Sequence, residues 1–176
     1  STKTKLEILE KVFCVWLTIW NKQGWVQNEW YIIDLFAGRG EYYDNGEKRD
    51  GSPLIFLETI NKKKDALRSA LKFKIFLVEK SKKYFNHLKN VVEKYKLENS
   101  LNNIELYLFN DDCNNIITQI TDKINNTNKN PLFVLVDPPG LQIKKTNMKG
   151  IIELNNPKDI LFNYILEGVV RTSGVA

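Results

Sequence analysis

The sequence predicts an α/β protein, a doubly wound and mostly parallel sheet preceded by an amphipathic N-terminal helix. Three observations carry this. Apolar runs of five or six residues recur along the chain, too continuous for half-solvated strands and too short for core helices. Stretches of helical character lie between them, as right-handed crossovers require. Three of the first four runs also stop at an acidic residue or pair, the place where an open parallel sheet binds its ligands.

The elements follow in order. Residues 5–20 place Leu6, Leu9, Phe13, Trp16, Leu17 and Trp20 three and four apart, with Lys5, Glu7, Glu10 and Lys11 largely on the other side. That is an amphipathic helix with an aromatic core stripe, ended by Gly24. Tyr31–Phe36 reads as a buried strand running into the turn Ala37-Gly38-Arg39-Gly40. Glu41 to Ser52 is polar and glycine-containing and reads as a loop. A helix then starts at Pro53 with Ser52 as N-cap. Residues 41–72 therefore form a loop-plus-helix insertion. Phe73–Glu79 is the second strand, followed by a helix to about Tyr95 in which His87 sits at or near the surface. Ile104–Phe109 is the third strand and ends in Asn110-Asp111-Asp112. Residues 113–124 look helical, and Asn125 to Asn130 form a polar loop. Leu132–Val136 is the fourth strand and ends in Asp137-Pro138-Pro139-Gly140. Ile160–Ile165 is a fifth strand or a short helix.

Composition narrows the function classes. The 176 residues, 43% hydrophobic and 27% charged, suit one domain spanning 1–176 and exclude a disordered segment. No apolar run approaches the roughly 18–20 residues of a membrane span, and no signal peptide is legible. These features lead us to expect a cytoplasmic protein. Cys14 and Cys113 cannot build a disulfide framework or a four-ligand zinc site, and a single histidine, His87, leaves no His-based metal site or Ser–His–Asp triad. No metal is expected. The chain opens on Ser and closes on Gly168–Ala176, which lacks a core pattern, so a longer native chain is expected. The net charge of +5 comes with lysine groups at 62–64, 80–83 and 144–149. They suit phosphate contacts with a nucleic acid, or reflect only a Lys-, Asn- and Ile-rich composition.

The chemistry concentrates at the strand ends. Glu79, the pair Asp111/Asp112 and Asp137 terminate the second, third and fourth strands, while Asp34 lies inside the first, just ahead of Gly38-x-Gly40. Carboxylates accept bonds from ribose hydroxyls and an exocyclic amine, and glycines let a ligand approach the backbone. Local alternatives exist for each: a tight turn for the glycines, a solvated cap for Glu79 beside Lys80, and a helix cap for one of Asp111 and Asp112. Asp-Pro-Pro is less ordinary, because two prolines fix the preceding carboxylate at the mouth of the sheet.

In this order, these segments resemble the class I S-adenosylmethionine-dependent methyltransferases, which have a Rossmann-like fold. The resemblance implies that Asp34, Phe36, Gly38 and Gly40 belong to the cofactor-holding motif. It further implies that Glu79 bonds the ribose, that Asp111 or Asp112 lies near the adenine, and that Asp137, Pro138 and Pro139 form the catalytic motif. The segments Lys5 to Trp20, Tyr31 to Gly40, Gly51-Ser52-Pro53-Leu54-Ile55, Phe76 to Lys80 and Val136-Asp137-Pro138 look more closely like the three-Cys-motif partner family, TcmP. That likeness implies a partner protein carrying a cysteine motif and leaves the methyl acceptor, an amine or a nucleic-acid base, open. Gly140 stands where adenine-acting relatives place a stacking aromatic. A second expectation is therefore a non-catalytic binding module on the same fold, presenting Trp16, Trp20, Trp25, Trp30 and the lysines. A nicotinamide dehydrogenase fits less well, since the turn lacks the third glycine of that fingerprint.

Overall fold

A computed structural model describes residues 2–139 and 144–163, and within them every predicted apolar run pairs into one sheet. The order is α1 (Thr2–Asn21), β1 (Glu29–Asp34), β2 (Glu41–Asp44), β3 (Glu47–Asp50), α2 (Ser52–Lys63), β4 (Lys72–Val78), α3 (Lys82–Glu98), β5 (Ile104–Phe109), α4 (Cys113–Thr121), β6 (Leu132–Val136), α5 (Lys145–Ile152) and β7 (Lys158–Phe162). The main sheet runs β5-β4-β1-β6-β7 with every neighbouring pair parallel. The chain steps outward from β1 through β4 to β5, then returns to β6 and continues the other way. The order reverses between β1 and β6, and in sheets of this kind ligands bind outside the carboxyl ends at that reversal.

Successive strand residues face opposite sides, so each continuous apolar strand feeds two cores. Ile32, Ile75 and Phe133 join one core with Leu9, Phe13, Trp16 and Phe56 of α1 and α2 and Leu88 of α3. Ile33, Phe76 and Val134 join the other with Ile116 and Ile120 of α4 and Met148 and Ile151 of α5. The aromatic stripe of α1 is core, as its spacing predicts. Phe13 meets Phe56 and Phe133 edge-on, with ring centroids 4.9 and 5.4 Å apart.

This placement corrects the idea of a tryptophan-built docking surface. Trp16 and Trp30 are buried, and the Trp30 indole N–H donates to the Gln27 carbonyl at 2.8 Å. Of the four, Trp25 is exposed. The outer side of α1 is also less polar than expected, since Ile8, Val12, Val15 and Ile19 lie exposed in a single stripe.

The stretch 41–52 is a second correction. It is an antiparallel hairpin, β2 paired with β3, turning at Asn45-Gly46 with φ of 51° and 80°. Asn-Gly supplies the two positive φ values that a tight hairpin needs. The flanking strands Glu-Tyr-Tyr-Asp and Glu-Lys-Arg-Asp lack an apolar alternation, so the pattern that marks strands is missing there. The cap assignment also changes. Helix α2 begins at Ser52 with Gly51 as its N-cap, and the Ser52 side chain makes no cap bond. Helix α5 and its placement between β6 and β7 are absent from the sequence reading. The fifth run is a strand, not a helix, and begins two residues earlier than predicted. Its predicted end, Tyr164–Ile165, lies outside the described residues, as do Gly140 and Gly168–Ala176. Among the described residues no helix is long and apolar enough to cross a membrane.

The hairpin is pinned to the turn after β1. The Gly51 N–H donates to the Gly40 carbonyl at 2.8 Å, and a Cβ at Gly51 would lie 2.8 Å from that same oxygen. Since backbone cannot yield as a side-chain tip would, Gly51→Ala is expected to cost about 2 kcal/mol. Urea unfolding measures it, and an unchanged midpoint would show that the two turns separate freely.

Candidate functional site

The carboxyl ends of β1, β4, β5 and β6 surround a cavity of about 570 Å³. Each strand contributes through residues at or just beyond its carboxyl end. From β1 come Leu35, Phe36 and Gly38. From β4 come Val78 and Glu79, and from the loop after β5 come Asp111 and Asp112. From β6 come Asp137, Pro138 and Pro139. With adjacent strands about 4.8 Å apart, the row from the β5 end to the β6 end spans roughly 14 Å.

Of the ten residues that the sequence singles out, eight lie on this cavity: Phe36, Gly38, Glu79, Asp111, Asp112, Asp137, Pro138 and Pro139. Asp34 and Gly40 do not line it; they hold the turn that does. Asp34 is fully buried, accepts from the Phe36 amide at 3.2 Å through Oδ1, and meets the Ser52 hydroxyl at 2.5 Å through Oδ2. Gly40 takes φ +85°, and a Cβ there would press within 3.2 Å of Leu88 Cδ1.

Burial pushes the Asp34 carboxyl up to about 7, against the opposing bonds from Ser52 and Phe36. The nearby charges of Asp137 and Glu79 push in the same direction as burial. Asp34 thus feels the acids that follow both neighbouring strands, on either side of the reversal point.

The other acids are held locally. Glu79 Oε1 accepts from the Ser81 amide at 2.7 Å, which orients the carboxylate at the head of α3. Asp112 is the N-cap of α4, accepting from the Asn114 amide at 2.9 Å, and pairs with Lys80 at 3.1 Å. Those bonds hold its carboxyl below the ordinary range, the Asn114 amide first. Asp111 Oδ1 accepts from the Asp112 amide and from the Asn115 side chain. The cap alternative therefore goes to Asp112.

Tyr84 and Lys5 are lining residues that the sequence does not single out, whereas Cys113, next to the acidic pair, lies at the ligand edge as its position suggests. Tyr84 stands on the first turn of α3, and the Arg39 guanidinium lies 6.0 Å from its ring centroid rather than on the cavity wall. His87, on the same helix, bonds Glu41 at 2.9 Å, and Lys48 bonds the other oxygen of Glu41 at 2.8 Å. Cys113 lines the cavity, but burial, aided by the Asp112 charge, pushes its thiol up to about 11. At neutral pH it is a thiol, not a nucleophile. The most consequential omission is Lys5. From the first turns of α1 its Nζ reaches Asp137 Oδ1 at 2.8 Å. Helical spacing placed Lys5 on the polar side of α1, and nothing in the sequence shows that the start of that helix overhangs the end of β6. Among the described residues no cluster of His, Cys, Asp and Glu is placed to hold a metal ion.

Comparison with known proteins adds the fold alone. No family model matches the chain, and no curated relative does. A solved structure of similar architecture is protein LPL1258 from Legionella pneumophila str. Philadelphia 1, described by the family model DUF519. The match has a TM-score of 0.51 at 12% identity and covers 83% of this chain. This chain spans 60% of the length of that one, and what the two share is a Rossmann-like α/β arrangement of helices around a mostly parallel sheet.

Proposed function

We propose that the protein is an S-adenosylmethionine-dependent methyltransferase acting on an amine or a nucleic-acid base. The observation that carries this reading is the convergence of Glu79, Asp111 and Asp137 on one cavity across the reversal point of the sheet.

The residues fit the group. Glu79, fixed by the Ser81 amide, retains acceptor capacity for vicinal ribose hydroxyls. Asp111 lies one strand farther out, where it can accept from an exocyclic amine, and Leu35, Phe36 and Val78 supply apolar wall for a planar ring. Gly38 takes φ +65°, and a Cβ there would meet nothing within 4 Å, so the turn leaves open space beside the cavity. When bound, the cofactor supplies an electrophilic methyl group on a sulfonium. The chain's own work is positioning and the exclusion of water. Pro138 and Pro139 hold Asp137 at the rim, where its carboxylate accepts hydrogens from an acceptor amine and so aims the nitrogen lone pair into the cavity.

Calorimetry with S-adenosylmethionine and S-adenosylhomocysteine tests this. The wild type is expected to bind both, and Glu79→Ala to lose about a hundredfold, the cost of removing a charged acceptor from two hydroxyls. Absence of binding by the wild type at millimolar ligand would overturn the reading and leave a binding module on the same fold, with or without a cysteine-motif protein or nucleic acid as partner.

A further inference from the structure

Among the described residues two cations line the cavity, and they sit at opposite ends of it. Lys80 stands at the β5 end, paired with the Asp112 carboxylate that also caps α4 and so set away from the β6 end. Lys5 stands at the β6 end, and its partner Asp137 is the carboxylate to which the proposed reaction assigns the acceptor amine. An acceptor amine and the Lys5 ammonium would therefore compete for the same carboxylate. The pair is not sealed in: the two side chains are 28% and 31% exposed. Such a partly solvated ion pair holds only weakly, so a ligand can open it.

The partners differ in freedom. Asp137 is followed by two prolines that restrict its backbone, whereas Lys5 ends a flexible four-carbon stem on the first turns of α1. Lys5 is the member that can move. A nucleoside whose sulfur carries an α-amino-acid tail brings a carboxylate of its own. With Glu79 and Asp111 holding the nucleoside end, the roughly 14 Å row of strand ends directs that tail toward Lys5. Arg39, the other cation near the turn, lies against Tyr84 and not on the wall.

We infer that Lys5 exchanges partners, leaving Asp137 for the carboxylate of the ligand's amino-acid tail, so that ligand entry unmasks Asp137 for the acceptor amine. This rests on the methyltransferase reading of the site. The exchange keeps Lys5 paired throughout and imposes an order, nucleoside ligand first and acceptor second.

Two ligands isolate the tail. S-adenosylhomocysteine and 5′-methylthioadenosine are both nucleoside thioethers, and the second lacks the amino-acid end. Calorimetry is run with both on the wild type, Lys5→Met and Lys5→Arg, with thermal melting confirming that each variant is folded. Lys5→Met is expected to weaken S-adenosylhomocysteine at least about tenfold and to leave 5′-methylthioadenosine within about twofold. Lys5→Arg keeps the charge and should retain most of the preference for the tail. Equal losses for both ligands, or no loss for either, would overturn the partner exchange while leaving the methyltransferase reading intact. A wild type that binds neither ligand takes down both.

Discussion

Asp34→Asn is expected to stabilise the protein above pH 7 and to leave its stability near pH 4 almost unchanged. Asp34 is fully buried, and burial pushes its carboxyl from 3.8 up to about 7. Between those values the folded protein holds a proton that the unfolded chain has released, so the unfolded state binds fewer protons and stability falls as pH rises. At about 1.4 kcal/mol per unit, the decline from pH 4 to above 7 amounts to roughly 4 kcal/mol. The stabilising form is the neutral acid, present in full below pH 4 and lost as pH passes 7. Asparagine removes the titration and keeps both bonds: its Oδ1 accepts from the Phe36 amide, and its Nδ2 donates to the Ser52 hydroxyl. Urea unfolding of both proteins from pH 4 to 8 gives the comparison. Asp50, raised by burial and by its bond to Glu58, adds a decline of the same sign, while the lowered carboxyls of Glu41, Glu58 and Asp112 lose their contributions as pH falls through the ordinary carboxylate range; all four are common to both proteins and cancel in the comparison. A wild-type curve flat between pH 5 and 8, or an identical slope in the variant, would show that Asp34 is ionised in the fold. The same bonds explain why Ser52 is not a helix cap. Its hydroxyl ties the start of α2 to the strand end beneath the cavity, so Ser52 serves the turn and not the helix.

Arg68→Ala is expected to cost about 3 kcal/mol, the scale of several charge-assisted bonds lost together. The side chain gathers the C-terminal end of α1 and the chain that follows it. Nη2 donates to the carbonyls of Trp20, Asn21 and Gln23 at 3.3, 3.0 and 2.9 Å, and Nη1 donates to Val26 O and Asn28 Oδ1, both at 3.2 Å. The guanidinium also lies 5.7 Å from the Trp30 ring centroid. Carbonyls at a helix C-terminus lack partners within the helix and carry partial negative charge, so a cation there is favoured. For a chain of this size the loss lowers the melting temperature by roughly 6–12 °C. The conservative change Arg68→Lys should recover less than half, because a compact ammonium cannot serve five acceptors arranged around a planar fork. Arg68 precedes β4 and lies at the opposite end of the sheet from the cavity, so ligand affinity of the folded variant should stay within about twofold. A melting point unchanged by Arg68→Ala would mean that water serves those carbonyls equally well.

The two sites differ in how far the sequence reveals them. Glu79 and Asp137 are legible because each follows an apolar run buried on both faces, and Asp111 because it follows the largely apolar edge strand β5. Phe36 and Gly38 are legible for the same reason. The hairpin 41–50 is hidden because both of its faces are largely solvated, which erases the alternation that marks a strand. Its Asn45-Gly46 turn is the one signal that could have found it. Arg68 looks like any surface arginine, since nothing local announces that five acceptors from residues 20–28 converge on it.

What the amino-acid order determined by itself is the main sheet: which apolar runs are its strands, most of the helices that cover them, and which carboxylates stand at the strand ends. Hydrophobic burial and period decide these within a few residues of chain. Only the tertiary structure decided who meets whom across long separations. It put Lys5 on Asp137, Ser52 on Asp34 and Arg68 on the end of α1, partners 132, 18 and up to 48 residues apart. Such contacts depend on strand order and helix placement, which no local pattern encodes, because a charged side chain in isolation is satisfied by water and its partner is chosen only when the fold removes that water.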